Sequence, residues 1–131
     1  MRIVLDASGA IEVALNKKLG PQITGTLADA DVVLAPELFV PEVVNAIWKY
    51  HHFQQMSLPQ CDQALERALG LVDTLVSNKE IWSEAFLLAR TADKPAYDMF
   101  YLALARREDA ALVTLDAALR RLAEGQGIRT A

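Results

Sequence analysis

Short apolar runs alternate with longer segments of helical periodicity in the first third of the chain. The β-branched run Arg2–Leu5 predicts a buried strand that ends at Asp6. Ser8 is expected to be the N-terminal cap of the helix that follows. A loop and a short helix over residues 21–30 lead to a second apolar run, residues 32–35, which predicts another strand. The pattern therefore indicates a repeating unit of strand followed by helix.

The middle of the chain is predicted to be mainly helical. Residues 41–54 and 57–73 carry apolar side chains at helical spacing, each behind a helix-start residue, and predict a helical hairpin. A brief strand at residues 75–76 precedes a helix over about residues 78–90. In the next predicted helix, residues 99–104 are apolar on nearly every side, which is typical of a buried helix.

The last part of the chain returns to strand periodicity. Residues 111–115 predict a central strand that ends at Asp116, followed by a short helix through residue 123 and a final strand at residues 128–129. Strands with continuous apolar faces, joined by helices, predict right-handed crossovers and a parallel sheet covered on both sides. The predicted fold class is α/β, a three-layer α/β/α sandwich around a central parallel sheet.

Length and composition limit the class of protein. With 131 residues, 53% of them hydrophobic, the chain is expected to form one domain spanning residues 1–131. Its single cysteine, Cys61, excludes an internal disulfide and a cysteine-rich metal site. No apolar run approaches the length of a membrane span. We therefore expect a cytoplasmic protein that does not engage a membrane.

The charge balance narrows the expected partners. Lysine and arginine number 13 against 17 aspartates and glutamates, a net charge of −4, so no global basic field attracts nucleic acid. Bound divalent cations reverse the local field where carboxylates cluster. The balance thus argues against metal-free RNA binding and leaves a metal-dependent nucleic-acid enzyme open.

Four acidic residues are expected at one edge of the predicted sheet, where α/β proteins bind ligands. Asp6 and Asp116 end predicted strands, whereas Glu42 and Asp98 lie in the first turns of predicted helices. The helix dipole alone explains a single acid there, at about 0.3–1 kcal/mol. Four converging carboxylates with no evident internal cation would repel one another unless they shared a positive ion.

The ligand types indicate which ion and which chemistry. Oxygen ligands without histidine or cysteine favour Mg²⁺ or Mn²⁺ over zinc. Such an ion lowers the pKa of a bound water, polarises a phosphoryl oxygen and stabilises the departing oxygen. The pattern therefore predicts hydrolysis of a phosphodiester without a covalent enzyme intermediate.

Four segments resemble the PIN-domain family, and within it toxins of the VapC type, over essentially the whole chain: residues 4–8, 41–45, 97–105 and 112–116. The resemblance implies a Mg²⁺- or Mn²⁺-dependent endoribonuclease of a toxin–antitoxin pair. Its acidic quartet would be Asp6, Glu42, Asp98 and Asp116, supported by Ser8, Asn45 and Thr114. Ala7 departs from the family pattern, in which many members carry a hydroxyl residue, but no expected metal ligand is affected.

The resemblance also implies partners. It predicts an RNA substrate, a homodimer and a small VapB-type antitoxin whose carboxyl-terminal segment lies along the toxin and blocks the site. The hairpin over residues 42–73 is the expected contact surface, with Trp48, Tyr50 and Phe53 as apolar contacts, although core packing would account for such residues equally well. Asn45 and Lys49 share a helix face with Glu42, so Lys49 is a candidate phosphate contact or a solvated surface lysine.

Two other functions compete with this one. A catalytically inactive PIN-like scaffold would bind a partner without cleaving RNA, and the intact quartet argues against it. A receiver-like signalling module also holds Mg²⁺ at this edge, but it needs a lysine at the end of a later strand, where this chain has Thr114, Leu115 and Asp116. A phosphatase of the DxD type is also disfavoured, because Ser8 stands where that class has its second aspartate.

Several other conspicuous residues are expected to have structural roles. The histidines at residues 51–52 point about 100° apart on a helix and lack a third ligand. The arginines at residues 106–107 and 120–121 are expected near helix carboxyl ends, on the edge opposite the carboxylates. Trp82 and the run at residues 86–88 are expected in the core.

Overall fold

The computed structural model describes all residues from 1 to 131, in four strands and seven helices. The strands are β1 (Arg2–Leu5), β2 (Val32–Pro36), β3 (Thr74–Val76) and β4 (Ala111–Val113). The helices are α1 (Ala7–Ala14), α2 (Gly20–Ala28), α3 (Phe39–Gln54), α4 (Leu58–Leu69), α5 (Asn78–Ala92), α6 (Ala96–Arg107) and α7 (Ala117–Gly125).

The four strands form one parallel sheet in the order β3-β2-β1-β4, which confirms the predicted parallel sheet. In the centre, Ile3 of β1 lies opposite Val33 of β2 on one side and Ala111 of β4 on the other. The strand predicted at residues 128–129 is reduced to a single parallel bridge between Leu112 and Thr130. Because all strands are parallel, their carboxyl ends meet at one edge of the sheet.

Helices cover the sheet on both sides and complete the three-layer α/β/α sandwich. Helix α6 packs directly on β1, β2 and β4, and α5 packs on α6. In a second group, α1 packs against α2, α3 and α4. The central residues of α6 are buried, with Tyr101 and Ala105 exposed by only 1%, which confirms the prediction of a buried helix.

Two helix starts differ from the predicted ones. Asp6, and not Ser8, caps α1, because Asp6 keeps an extended backbone while Ser8 already lies in the first helical turn. Helix α3 begins at Phe39, so Pro41 lies in its first turn. Backbone N–H groups of the first turn have no intrahelical acceptor, so the N–H that proline lacks is not missed there. Both shifts leave Asp6 and Glu42 at the carboxyl edge of the sheet.

The outer faces of two helices carry large exposed apolar side chains. Trp82 and Phe86, expected in the core, are 59% and 56% exposed, because α5 lies against α6 and only one of its faces is covered. Only Leu88 of the predicted core run at residues 86–88 is buried. On α3, Trp48 and Phe53 are also exposed. None of the seven helices combines the length and apolar character that crossing a membrane requires.

Candidate active site

Asp6 is the most buried acidic side chain at the carboxyl edge, with 6% of its surface exposed. Its Oδ1 accepts hydrogen bonds from the Ser8 hydroxyl at 2.6 Å and from the Gly9 N–H at 3.0 Å. Its Oδ2 accepts a hydrogen bond from the Thr114 hydroxyl. The buried carboxylate is therefore satisfied by neutral donors alone, and its charge is not compensated by a cation.

The two hydroxyls that hold Asp6 also tie it to the segment after β4. The Ser8 Oγ accepts a hydrogen bond from the Leu115 N–H at 3.0 Å. The Thr114 Oγ1 accepts one from the Asp116 N–H, also at 3.0 Å. Since each hydroxyl donates to Asp6 and accepts from this segment, Ser8 and Thr114 join the ends of β1 and β4 into one network.

Two further acids of the predicted quartet lie at the surface of the same edge. Asp116 is exposed and caps α7, with its Oδ1 accepting a hydrogen bond from the Leu119 N–H at 3.0 Å. Asp98 is exposed in the first turn of α6. The starts of α6 and α7 thus place these two carboxylates beside the network around Asp6.

Glu42, in the first turn of α3, is held by a residue whose role the sequence pattern did not predict. The hydroxyl of Tyr101 donates a hydrogen bond to Glu42 Oε1 at 2.5 Å. Tyr101 lies three residues after Asp98, hence on the same face of α6. A tyrosine within an otherwise apolar buried helix could have indicated this contact, because a buried phenol usually finds a polar partner.

The electrostatics of the cluster couple all four acids. Desolvation is the main cause that raises the pKa of the buried Asp6, of the half-buried Glu42 and of Asp98, an exposed residue whose carboxyl is partly shielded from water, and neighbouring carboxylates add to it. Asp116 raises the pKa of Asp6 and Asp98, while Asp98 and Asp6 raise that of Glu42. Burial, then the bond to Glu42, raises the pKa of Tyr101, so its phenol stays a donor.

No basic side chain of the protein neutralises this cluster. The three ion pairs of the structure are the amino terminus with Asp31, Arg2 with Glu108, and Arg129 with Asp109. The four carboxylates are also not drawn into a tight cage, since no group of three or more histidine, cysteine, aspartate or glutamate side chains is arranged to hold an ion. The edge therefore carries an open, uncompensated cluster of negative charge.

A groove of about 570 Å³ leads away from Glu42 along α3. Its lining consists of Ala7, Glu42, Asn45, Ala46, Lys49, Tyr50, Phe53 and Gln54. Asn45, predicted to support the quartet, is exposed in this groove and contacts none of the four acids through a hydrogen bond. Lys49 is exposed and belongs to none of the ion pairs. The groove thus joins the acidic cluster to a free cation.

The predicted position of Arg120 and Arg121 near a helix carboxyl end is wrong, because the last turn of α7 carries no basic residue. Arg120 was expected near a helix carboxyl end, opposite the acids, but α7 spans Ala117–Gly125 and places it one turn from the start. Its guanidinium donates a hydrogen bond to the Thr114 carbonyl at 3.0 Å, on the carboxylate edge. Arg106 and Arg107 do lie in the last turn of α6, as predicted.

The sequence of this chain is similar to a known protein family and to a named ribonuclease. The family model described as PIN domain matches residues 3–125. Ribonuclease VapC3 from Pyrobaculum aerophilum is 29% identical to this chain over 126 residues, which is 95% of this chain and 94% of the relative.

Two solved structures share the fold. The crystal structure of PAE2754 from Pyrobaculum aerophilum has a TM-score of 0.76 and 19% identity, covering 95% of this chain and 81% of that one. The structure of VapBC2 from Rickettsia felis, bound to a DNA fragment from their promoter, has a TM-score of 0.66 and 14% identity, covering 93% of each chain. At these identities the likeness concerns the fold.

Proposed function

This chain belongs to the PIN-domain family, and from that premise we propose that it is a metal-dependent endoribonuclease, the toxin of a VapBC-type toxin–antitoxin pair acting in the cytoplasm. The observation that carries the proposal is the uncompensated cluster of Asp6, Glu42, Asp98 and Asp116 at the carboxyl edge. The relative named Ribonuclease VapC3 supports RNA as the substrate. Hydrolysis of an RNA phosphodiester needs positive charge at the reacting phosphate, and this cluster of carboxylates is suited to bind a cation there.

The donor set fits a divalent cation, Mg²⁺ or Mn²⁺. All four groups are carboxylates, and three of them have a raised pKa partly because they repel one another. Mg²⁺ keeps several of its waters and takes only one or two protein carboxylates directly. An open cluster, rather than a tight cage, would suit such an ion.

When bound, the ion supplies an activated water and charge stabilisation at the phosphate. The residues of the chain arrange its ligands. Ser8 and Thr114 hold Asp6 through both of its oxygens, while Tyr101 holds Glu42 through Oε1 and leaves Oε2 without a protein donor. These neutral donors orient the carboxylates without cancelling the negative charge that attracts the ion.

A homodimer and a VapB-type antitoxin are the proposed protein partners. The ring of Trp48 stacks on His52 with centroids 4.8 Å apart, which forms an exposed aromatic surface on α3. Trp82 and Phe86 expose a second apolar surface on α5. Exposed aromatic surfaces of this kind are common at protein interfaces.

The first experiment is cleavage of a mixed pool of structured and unstructured RNA by the purified, partner-free protein. Reactions contain Mg²⁺, Mn²⁺ or EDTA and compare the wild type with Asp98→Asn and with Asp62→Asn, an exposed acid on α4 outside the site. We expect metal-dependent cleavage by the wild type and by Asp62→Asn, whereas the cleavage rate of Asp98→Asn should be lower by about 100-fold or more.

The same experiment tests the alternative function. A folded wild-type protein that cleaves no RNA with either metal would favour the inactive PIN-like scaffold. Full cleavage by folded Asp98→Asn would remove that carboxylate from the mechanism.

A further inference from the structure

We infer that the groove along α3 is the subsite for the RNA nucleotides next to the scissile phosphate, with Lys49 contacting a backbone phosphate and Phe53 stacking on a base. The inference rests on the proposed ribonuclease function, because it assigns that substrate a place on the protein. It extends the function to residues that hold neither the metal nor its ligands.

The groove is continuous with the acidic cluster. Glu42 lines its inner end, and the lining residues recur along one face of α3 as far as Gln54. The distance from Glu42 to Phe53 along the helix is about 16 Å at about 1.5 Å per residue. An RNA strand whose phosphate lies at the cluster would therefore place its next nucleotides beside this helix face.

The charges of the groove suit a phosphate chain. Lys49 is an exposed cation without an acidic partner, in a chain whose net charge is −4. A second cation, Lys17, lies beside the groove, where its ammonium donates to the Tyr50 hydroxyl and stands 4.8 Å from the centroid of that ring. The two lysines along the groove favour a phosphate chain that runs through it.

Phe53 offers a largely exposed aromatic ring. Phe53 is 70% exposed, and its ring is nearly perpendicular to that of His52, with ring centroids 4.6 Å apart and an interplanar angle of 84°. His52 in turn stacks on Trp48 with an angle of 9°. The exposure of Phe53 leaves ring surface available to a base, and base stacking needs no particular sequence.

The polar lining favours RNA over a protein segment. Asn45, Lys49 and Gln54 share the groove with the two aromatic side chains. The buried centres of protein interfaces are depleted in lysine, whereas RNA is bound by amides, lysines and stacked aromatics in combination. The more apolar Trp48 does not line the groove, so a protein partner has a better surface beside it.

The test measures RNA binding by Asp98→Asn protein, which leaves the probe intact, with Mg²⁺ present. The first probe is a fluorescent single-stranded RNA of about 10 nucleotides and random sequence, and the second is an abasic ribose-phosphate strand of equal length. Lys49→Gln should lower the affinity for both probes about fivefold and reduce the slope of log affinity against log salt concentration by about 0.7. Phe53→Ala should lower the affinity only for the probe that carries bases, by about tenfold.

Matched controls show whether these losses are specific to the groove. Arg106→Gln deletes one positive charge at the opposite edge of the sheet and should bind both probes as the parent does. Lys49→Arg should restore affinity for both probes, and circular dichroism verifies that every variant is folded.

The outcomes separate the subsite from the nuclease. If wild-type protein cleaves RNA while Lys49→Gln and Phe53→Ala bind both probes like the parent, the subsite is wrong and the ribonuclease stands. If these variants lose dimerisation or antitoxin binding but keep RNA binding, the groove is a protein interface and the inference is overturned. If wild-type protein neither binds nor cleaves RNA, the proposed function and the subsite fall together.

Discussion

At the scale of single residues, the candidate site depends on hydroxyl groups that donate to a buried carboxylate, Asp6, and to a half-buried one, Glu42. Ser8 and Thr114 hold Asp6, and Tyr101 holds Glu42. A hydroxyl fixes the orientation of a carboxylate and leaves its charge in place, whereas a lysine or arginine would neutralise it. The local chemistry thus keeps the acids ordered and still negative.

Thr114→Val tests the network around Asp6. The substitution keeps the buried shape but leaves Asp6 Oδ2 without its donor and the Asp116 N–H without its acceptor. We expect the free energy of unfolding to fall by about 1–3 kcal/mol, measured by urea denaturation, because two polar groups lose their partners. Thr26→Val, whose hydroxyl bonds only to its own helix at an exposed position, should change it little. Equal stability of both variants would contradict a role for the network.

Tyr101→Phe tests how Glu42 is positioned. Loss of the phenol frees Glu42 to rotate, and hydrogen bonds to charged groups contribute about 1.5–3 kcal/mol. We therefore expect Mn²⁺ affinity, measured by calorimetry without RNA, to fall about tenfold. Tyr97→Phe, at an exposed position near the start of the same helix, is the control. Unchanged affinity in Tyr101→Phe would show that Glu42 needs no such support.

At the scale of elements, two of the four acids also begin helices. Asp6 caps α1 and Asp116 caps α7, so the same side chains that are candidates for the metal stabilise the ends of helices that start at the sheet edge. Strand ends and helix starts coincide at this edge because the connections are short. The proposed metal site and the helix caps therefore share residues.

Asp116 allows these two roles to be separated. Asparagine caps a helix about as well as aspartate but lacks its charge, whereas alanine lacks both. We expect Asp116→Asn and Asp116→Ala to lose RNA cleavage to a similar extent, while only Asp116→Ala loses about 1 kcal/mol of stability in urea denaturation. Ser57→Ala, which removes the cap of α4 far from the acids, should lower stability alone. A stable Asp116→Ala protein would disprove the capping role.

At the scale of the whole molecule, we expect the acidic cluster to make the free energy of unfolding depend on pH and on the proposed metal. Burial and mutual repulsion raise the pKa of Asp6, Glu42 and Asp98 above their unfolded values. The folded protein then binds protons more tightly than the unfolded chain, so stability in EDTA should rise as pH falls through the raised folded pKa values towards the unfolded ones.

Asp98→Asn provides the measurement for this pH dependence. Removing one charge relieves the repulsion, so the variant should be more stable than wild type in EDTA near neutral pH, and the difference should shrink as the pH approaches about 4. Thermal unfolding across pH measures both proteins, with Asp62→Asn as a matched control. Added Mn²⁺ at about 100 times its dissociation constant for wild type should stabilise wild type by about 2.7 kcal/mol and Asp98→Asn by less. A pH-independent difference between the two proteins would argue against the repulsion.

Local patterns in the sequence were sufficient for the fold class and for the place of the acids. An apolar run that ends in an acid shows where a buried strand meets the ligand edge, and so Asp6 and Asp116 could be located without the structure. Glu42 and Asp98 were located by the helix starts behind two prolines. The exact ends of the elements were harder to predict, because Asp6 and Ser8 are both good helix caps. In the structure, the Asp6 N–H donates a hydrogen bond to the Val113 carbonyl at 3.2 Å, and this bond keeps Asp6 in line with the strand.

The contacts that complete the site were decided by tertiary structure. Thr114 reaches Asp6 across 108 residues of chain, and Tyr101 reaches Glu42 across 59. Periodicity shows which face of a helix is apolar, but not what packs on it, so it left Trp82 in the core and Arg120 on the wrong edge. Such features depend on how elements distant in sequence pack together, and that arrangement is set by the free energy of the whole fold and by no local segment.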